Sequence, residues 1–141
     1  LAINKMTEIE DVFQKLKNSP DLDKEILNET EIRILIAENK NDMALQKINL
    51  LINSVSGKSK SNLYYQKSRI AKNQEEKLSD LRLSLTAYPR NKDTLLELYK
   101  YYVEKKDYRK AQYYLNQVVS LNPTDSKLLQ LTEELNKLMA R

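Results

Sequence analysis

Thr94 to Pro123, TLLELYKYYVEKKDYRKAQYYLNQVVSLNP, is the stretch on which the reading of this chain turns. Leu95, Leu98 and Tyr102 recur at steps of three and four residues, and Leu96, Tyr99 and Val103 form a neighbouring stripe. Ala111, Leu115, Val118 and Val119 repeat the pattern after a polar break at Lys105, Lys106 and Asp107. Steps of three and four put side chains on one face of a helix, so the stretch predicts two amphipathic helices joined by a short turn. Pro123 closes the pair, because proline lacks the N–H that would continue the helix.

The same spacing reaches outward along the chain. Ala44 precedes Ala111 by an interval that Lys77 divides into two nearly equal steps. In this register Ile48, Leu81 and Leu115 fall together, as do Leu35, Ser68 and Tyr102. Pro89 and Pro123 lie at the same distance beyond Lys77 and Ala111. Each step is close to the period of roughly 34 residues that marks stacked helix–turn–helix repeats. With Leu95 at the Trp place, Leu98 at the Leu, Tyr102 at the Tyr, Ala111 at the Ala, Leu115 at the Phe and Pro123 at the Pro, the stretch resembles a tetratricopeptide repeat (TPR). Three TPR-like repeats result, at about 24–56, 58–89 and 92–123, followed by a capping helix at 124–140 that carries Leu128, Leu131, Leu135 and Leu138. The small-residue place of the motif holds Ile32, Tyr65 and Tyr99, which should widen or re-angle the contact within each pair.

Ahead of the repeats, Met6, Ile9, Phe13 and Leu16 predict an N-terminal lead-in helix within residues 1–19, and Ser19-Pro20 marks the boundary to the repeat domain of 20–141. Leu22, Ile26, Ile32, Leu35 and Ile36 carry the next helix to about Asn39. Ser54 to Ser61 is the run that reads as a loop or hinge. The resemblance implies an all-α fold, a right-handed α-solenoid of antiparallel helix pairs.

Composition agrees with helices throughout. One glycine and three prolines in 141 residues leave little material for hairpin turns. Cysteine and histidine are both absent, which removes disulfides, thiolate metal sites and every Ser-His or Cys-His nucleophile arrangement. No metal, cofactor or catalytic residue is therefore expected, and the chain is read as a non-enzyme. Its paired acids, Glu75 with Glu76 among them, are expected to serve helix N-termini. Gly57-Lys58-Ser59 lacks the earlier glycine and the preceding strand of a phosphate loop.

Charge is unevenly spread. Residues 1–42 carry ten acids and six bases; residues 43–74 carry Lys47, Lys58, Lys60, Lys67, Arg69 and Lys72 and no acid. A solvated lysine-rich face explains such a zone; so does a site for an acidic partner segment, with attraction that speeds association. Nucleic acid is the weaker alternative, since no arginine cluster accompanies the modest net charge of +4.

In the TPR family the first helix of each repeat lines a groove that receives a segment of a partner protein. Carried over by position, the groove residues are Arg33 and Ile36, then Asn62, Gln66 and Arg69, then Leu96, Lys100 and Val103. One subclass clamps a chaperone's C-terminal carboxylate with Lys and Asn at set places; Glu29 and Arg33 stand there, so that ligand is not expected. Most of the nine tyrosines match repeat-core places, while Tyr88, Tyr101 and Tyr113 are the candidates for exposed contacts. The expected function is a protein–protein interaction module or scaffold. The alternatives are an oligomerisation subunit acting through its terminal helices and an RNA-binding helical repeat. A composition rich in lysine and asparagine points to an AT-rich genome, and bacterial TPR proteins often serve envelope assembly. The expectation thus leans toward a bacterial envelope, with room for an anchor upstream of Leu1.

Overall fold

The computed structural model describes residues 9–11 and 24–141. Residues 9–11 are helical; the rest of the expected N-terminal helix and the Ser19-Pro20 boundary lie outside the described residues. From Lys24 onward seven helices follow one another: α1 (Lys24–Ala37), α2 (Asn41–Leu51), α3 (Gly57–Arg69), α4 (Gln74–Ala87), α5 (Lys92–Glu104), α6 (Tyr108–Leu121) and α7 (Ser126–Met139). Among the described residues the chain is all-α. Each helix packs on its successor, and α1 also packs on α3.

The helix ends have local causes. Asn73 accepts a hydrogen bond from the Glu76 N–H, and the Glu76 carboxylate accepts one from the Lys72 N–H, a reciprocal cap at the start of α4. Asn91 and Asp107 accept from the N–H of Thr94 and Lys110 to cap α5 and α6. Asp125 takes the N–H groups of Lys127 and Leu128 at the start of α7. Although desolvation opposes it, these two amides, with Lys92 beside them, hold the Asp125 carboxyl below its ordinary range. Tyr88 and Asn122, the residues before Pro89 and Pro123, leave the helical region as proline requires of its predecessor.

The interval between Ala44 and Ala111 recurs in the backbone. Asn39 and Lys106, separated by the same interval as Ala44 and Ala111, both adopt φ of 60°. Around each the same pair of bonds closes the helix: Asn39 N–H to Ile36 O and Lys40 N–H to Leu35 O, then Lys106 N–H to Val103 O and Asp107 N–H to Tyr102 O. This is the Schellman closure, which caps the last carbonyls by one residue in the left-handed region. The middle segment lacks it; there Ile70 and Ala71 N–H reach Lys67 O and Ser68 O.

Apolar side chains gather in three clusters. Ile32, Ala44, Ile48, Ile52 and Leu63 join α1, α2 and α3. Leu81, Leu98, Tyr99, Tyr102, Ala111, Leu115 and Leu135 join α4 through α7, and Leu95, Val118 and Leu128 bind α5, α6 and α7 a second time. The anchors Ala44 and Ala111 are fully buried, while Lys77, at the third anchor place, is half-exposed and pairs with Glu97 at 3.4 Å. Ile26, read as one of the apolar residues that carry the first of these helices, is 48% exposed, and Leu50 on α2 is 77% exposed.

A polar layer crosses α3, α4 and α5. The Ser84 hydroxyl donates to Ser61 O at 2.8 Å and lies 2.9 Å from Ser61 Oγ and 2.7 Å from Thr94 Oγ1. Asn91 Nδ2 donates to Ser61 Oγ and to Asn62 Oδ1. One proton arrangement satisfies the set: Ser84 donates to the carbonyl and accepts from the Ser61 and Thr94 hydroxyls, and Asn91 uses both amide protons. Among the described residues no buried side-chain polar atom lacks a partner. Gly57 opens α3 with φ of +60°, so the run expected to be a loop is helical from its fourth residue on, and Ser61 within it is fully buried.

Candidate functional site

The groove candidates all stand on α1, α3 and α5, and each of these helices carries them for the same local reason. Three- and four-residue steps turn Arg33 and Ile36, Asn62, Gln66 and Arg69, and Leu96, Lys100 and Val103 to one side of their helix. Arg33, Arg69 and Lys100 are exposed; Ile36, Asn62, Leu96 and Val103 are half-buried. Ile36 rests against the first apolar cluster, Val103 against the second and Leu96 against the third. Gln66 is only 7% exposed, and its Oε1 accepts from Arg69 Nη1 at 3.0 Å, which orients the guanidinium. Asn62 is the junction between segments: its Nδ2 donates to Glu29 Oε1 on α1, and its Oδ1 accepts from Asn91 beside α5.

Tyr65 on α3 is half-buried against the cluster that holds Leu98, Tyr99 and Tyr102 of α5. Burial, the largest cause, lifts its phenol above the ordinary tyrosine range; Asp93 and Glu97 on α5 add to the rise, and Arg69 on α3 and Arg33 on α1 oppose it. Four charges from three helices thus act on one half-buried hydroxyl. Glu97 in turn sits 3.6 Å from Lys100 and 3.4 Å from Lys77. Both signs of charge therefore occur among these residues: Arg33 and Arg69 on α1 and α3, and Lys100 beside Glu97 on α5. Glu29, Tyr65, Asp93 and Glu97 belong to this face without having been singled out as contacts from the sequence. The signal for Glu29 was its equivalence, by the period, to Asn62 and Leu96.

The acid-free run of residues 43–74 acquires its counter-charges from elsewhere in the chain. Lys47 pairs with Glu31 at 2.6 Å and Lys67 with the buried Asp80 at 3.7 Å. Lys58, Lys60, Arg69 and Lys72 form no ion pair among the described residues. What the sequence presents as one basic zone is thus partly neutralised on folding.

Two carboxyls are pushed above their usual values. Burial is the leading cause for Glu29, helped by Glu25 and opposed by the Asn62 bond, Arg33 and Lys58. Burial again leads for Asp80, opposed by Lys67. A carboxyl with a raised folded pKa binds its proton more tightly in the folded chain than in the unfolded one. Stability then falls as pH rises from the unfolded value through the folded one, so the ionised group is a net cost at neutrality. Glu29→Gln keeps a carbonyl to accept from Asn62 and removes that cost. It is expected to raise the melting temperature at pH 7 and to lose the advantage below pH ~4, where Glu29 is protonated in both states. Thermal melts of both proteins across that range measure it; equal offsets at pH 4 and pH 7 contradict the assignment.

Among the described residues no cluster of three acids could hold a metal ion, and no helix is long and apolar enough to cross a membrane. No protein-family model, curated protein or solved structure gives a significant match to the chain.

Proposed function

We propose that this chain is a TPR-type α-solenoid acting as a protein–protein interaction module without catalysis of its own. In this reading α1–α2, α3–α4 and α5–α6 are antiparallel pairs stacked into a right-handed superhelix, and α7 covers the last pair. The Schellman closure and the buried alanine, each recurring at the same interval, support the repeat arrangement. The function rests on one observation: Asn62 on α3 is hydrogen-bonded both to Glu29 on α1 and to Asn91 beside α5, which ties the three helices that carry the candidate residues to one another.

Such a face suits a segment of a partner protein, extended or helical. Apolar side chains of the segment would meet Ile36, Leu96 and Val103, and its acids would meet Arg33, Arg69 and Lys100. Arg69 is held ready by Gln66, which lowers the ordering cost of binding. Lys100 has to exchange its contact with Glu97 for one with the visitor, so Arg69 is expected to contribute more.

The double variant Arg69→Glu/Lys100→Glu tests this. It places two like charges against an acidic segment at exposed positions, so helicity is expected to stay as in wild type. Affinity for the partner captured by the wild-type chain is expected to drop at least about tenfold, mainly through slower association. Unchanged affinity with unchanged circular dichroism would remove this face as the binding site.

A further inference from the structure

We infer a second docking surface, at the α5–α6 turn, built to receive an acidic segment of a partner protein. It is independent of the face around Tyr65. Four tyrosines form an unbroken chain of ring contacts there. Tyr101 meets Tyr102 edge-on at 5.0 Å, Tyr102 stacks on Tyr114 at 5.7 Å, and Tyr114 meets Tyr113 edge-on at 5.2 Å. Lysines cover two of the rings: Lys105 Nζ lies 5.7 Å from the Tyr101 centroid and Lys110 Nζ 5.3 Å from that of Tyr102. The far end of the chain is open, with Tyr113 63% exposed.

One cation stands beside that open end, and more lie at the turn where the ring chain begins. Arg109 and Tyr113, four residues apart on α6, share one face of the helix. Among the described residues none of Lys105, Lys106 and Arg109 has a carboxylate within ion-pair distance. The nearby acids are Asp107, spent on capping α6 and on Lys110, and the exposed Glu104. Tyrosine and arginine side by side are residue types that concentrate binding energy at protein interfaces, and the unpaired Lys105 and Lys106 at the turn add the positive charge that an acidic segment complements.

Lys106 carries the second argument. Its φ of 60° belongs to a place where glycine or asparagine is cheap, and the equivalent place two repeats earlier is Asn39. A lysine here accepts backbone strain although its side chain forms no hydrogen bond, ion pair or ring contact among the described residues. Strain of this kind points to a role for the side chain outside the fold. The occupant is a protein segment rather than a nucleic acid because only Tyr113 of the four rings is exposed: Tyr102 is buried, Tyr101 and Tyr114 are half-buried, and Tyr101 and Tyr102 each carry a lysine, so successive bases have no row of open rings.

The test uses the whole isotope-labelled chain and two probes: a fluorescent peptide of Asp, Glu and Leu, and a single-stranded oligouridylate. The peptide is expected to shift amide signals from Glu104 to Tyr114. Tyr113→Ala and Arg109→Glu are each expected to weaken it about tenfold. Lys106→Gly relieves the strain, so it is expected to melt no lower than wild type while still binding more weakly. Arg69→Glu/Lys100→Glu is expected to leave the shifts at the turn unchanged. The inference is overturned if the shifts fall on Arg33 to Arg69 instead. It is overturned equally if Tyr113→Ala binds as wild type while the charge variants do not, or if oligouridylate binds the turn more tightly than the peptide.

Discussion

Leu98→Ala is expected to destabilise the chain by about 3 kcal/mol, within the range of roughly 2–5 for buried leucines. Leu98 is fully buried at the centre of the cluster that joins α4, α5, α6 and α7 through Leu81, Tyr102, Ala111, Leu115 and Leu135. Removing its isobutyl group forfeits the transfer energy and leaves a hole. Two members of its cluster are tyrosines, whose rings cannot collapse into the gap without losing their own contacts. Urea denaturation followed by circular dichroism measures the loss. Leu50→Ala is the matched control: Leu50 is 77% exposed, and its truncation is expected to change stability by less than about 0.5 kcal/mol. Equal losses for the two would show that burial does not set the energetics here.

Ser84→Ala is expected to cost about 2 kcal/mol, an unusual loss for removal of one oxygen. The Ser84 hydroxyl lies within bonding distance of Ser61 O, Ser61 Oγ and Thr94 Oγ1, all in a fully buried layer. Its removal strands the Thr94 hydroxyl, and leaving a buried donor unmade costs more than the bond itself contributes. The double variant Ser84→Ala/Thr94→Val removes the stranded donor as well. Ser61 can then turn its proton to a carbonyl of its own helix. The double variant is therefore expected to be no less stable than Ser84→Ala alone, and a double-mutant cycle by urea titration measures the coupling. Additive losses would mean that the three hydroxyls do not act as a unit. Ser120→Ala is the control; that serine bonds only its own helix, at Gln117 O, and is exposed.

Both substitutions fall in places where local signals differ in quality. Leu98 is legible from spacing alone, because its periodic neighbours Leu95 and Tyr102 define a helical face whatever the partner helix is. Ser84 is not. Nothing in the residues around it distinguishes it from exposed Ser79 on the same helix. It is buried because Ser61, 23 residues earlier, and Thr94, ten later, offer it bonds. The same cause explains the segment read as a loop. Ser54 to Ser61 is rich in serine and holds the only glycine, which by composition means a turn. The glycine does supply the turn, and Ser61 then enters the layer as a helical residue. Ile26 errs the other way: an amphipathic pattern ranks apolar residues by angle, while exposure depends on how far the neighbouring helix extends.

The candidate face divides along the same line. Its positions follow from the period, but its character does not. Arg33, Arg69 and Lys100 read as a basic groove although Glu97, one helical turn before Lys100, pairs with it; that Lys77, 20 residues before Glu97, reaches the same carboxylate needs α4 beside α5. Likewise the exposure of Tyr113 was expected from its place, whereas the ring chain that supports it needs α5 beside α6.

By itself the sequence determined the helical class, the order and rough bounds of the helices from α1 onward, the turn at Lys105 to Asp107 and the register that links Ala44 to Ala111. Each of these depends on interactions within a few residues, or on the spacing of apolar groups that any helix must obey. Tertiary structure alone decided which serine and threonine hydroxyls enter the buried layer and how Lys47, Lys67, Lys77 and Lys92 find their carboxylates. Those outcomes depend on distances between residues 10 to 34 positions apart, as Ser84 to Thr94 and Ser59 to Glu25 show, and no local free energy encodes them.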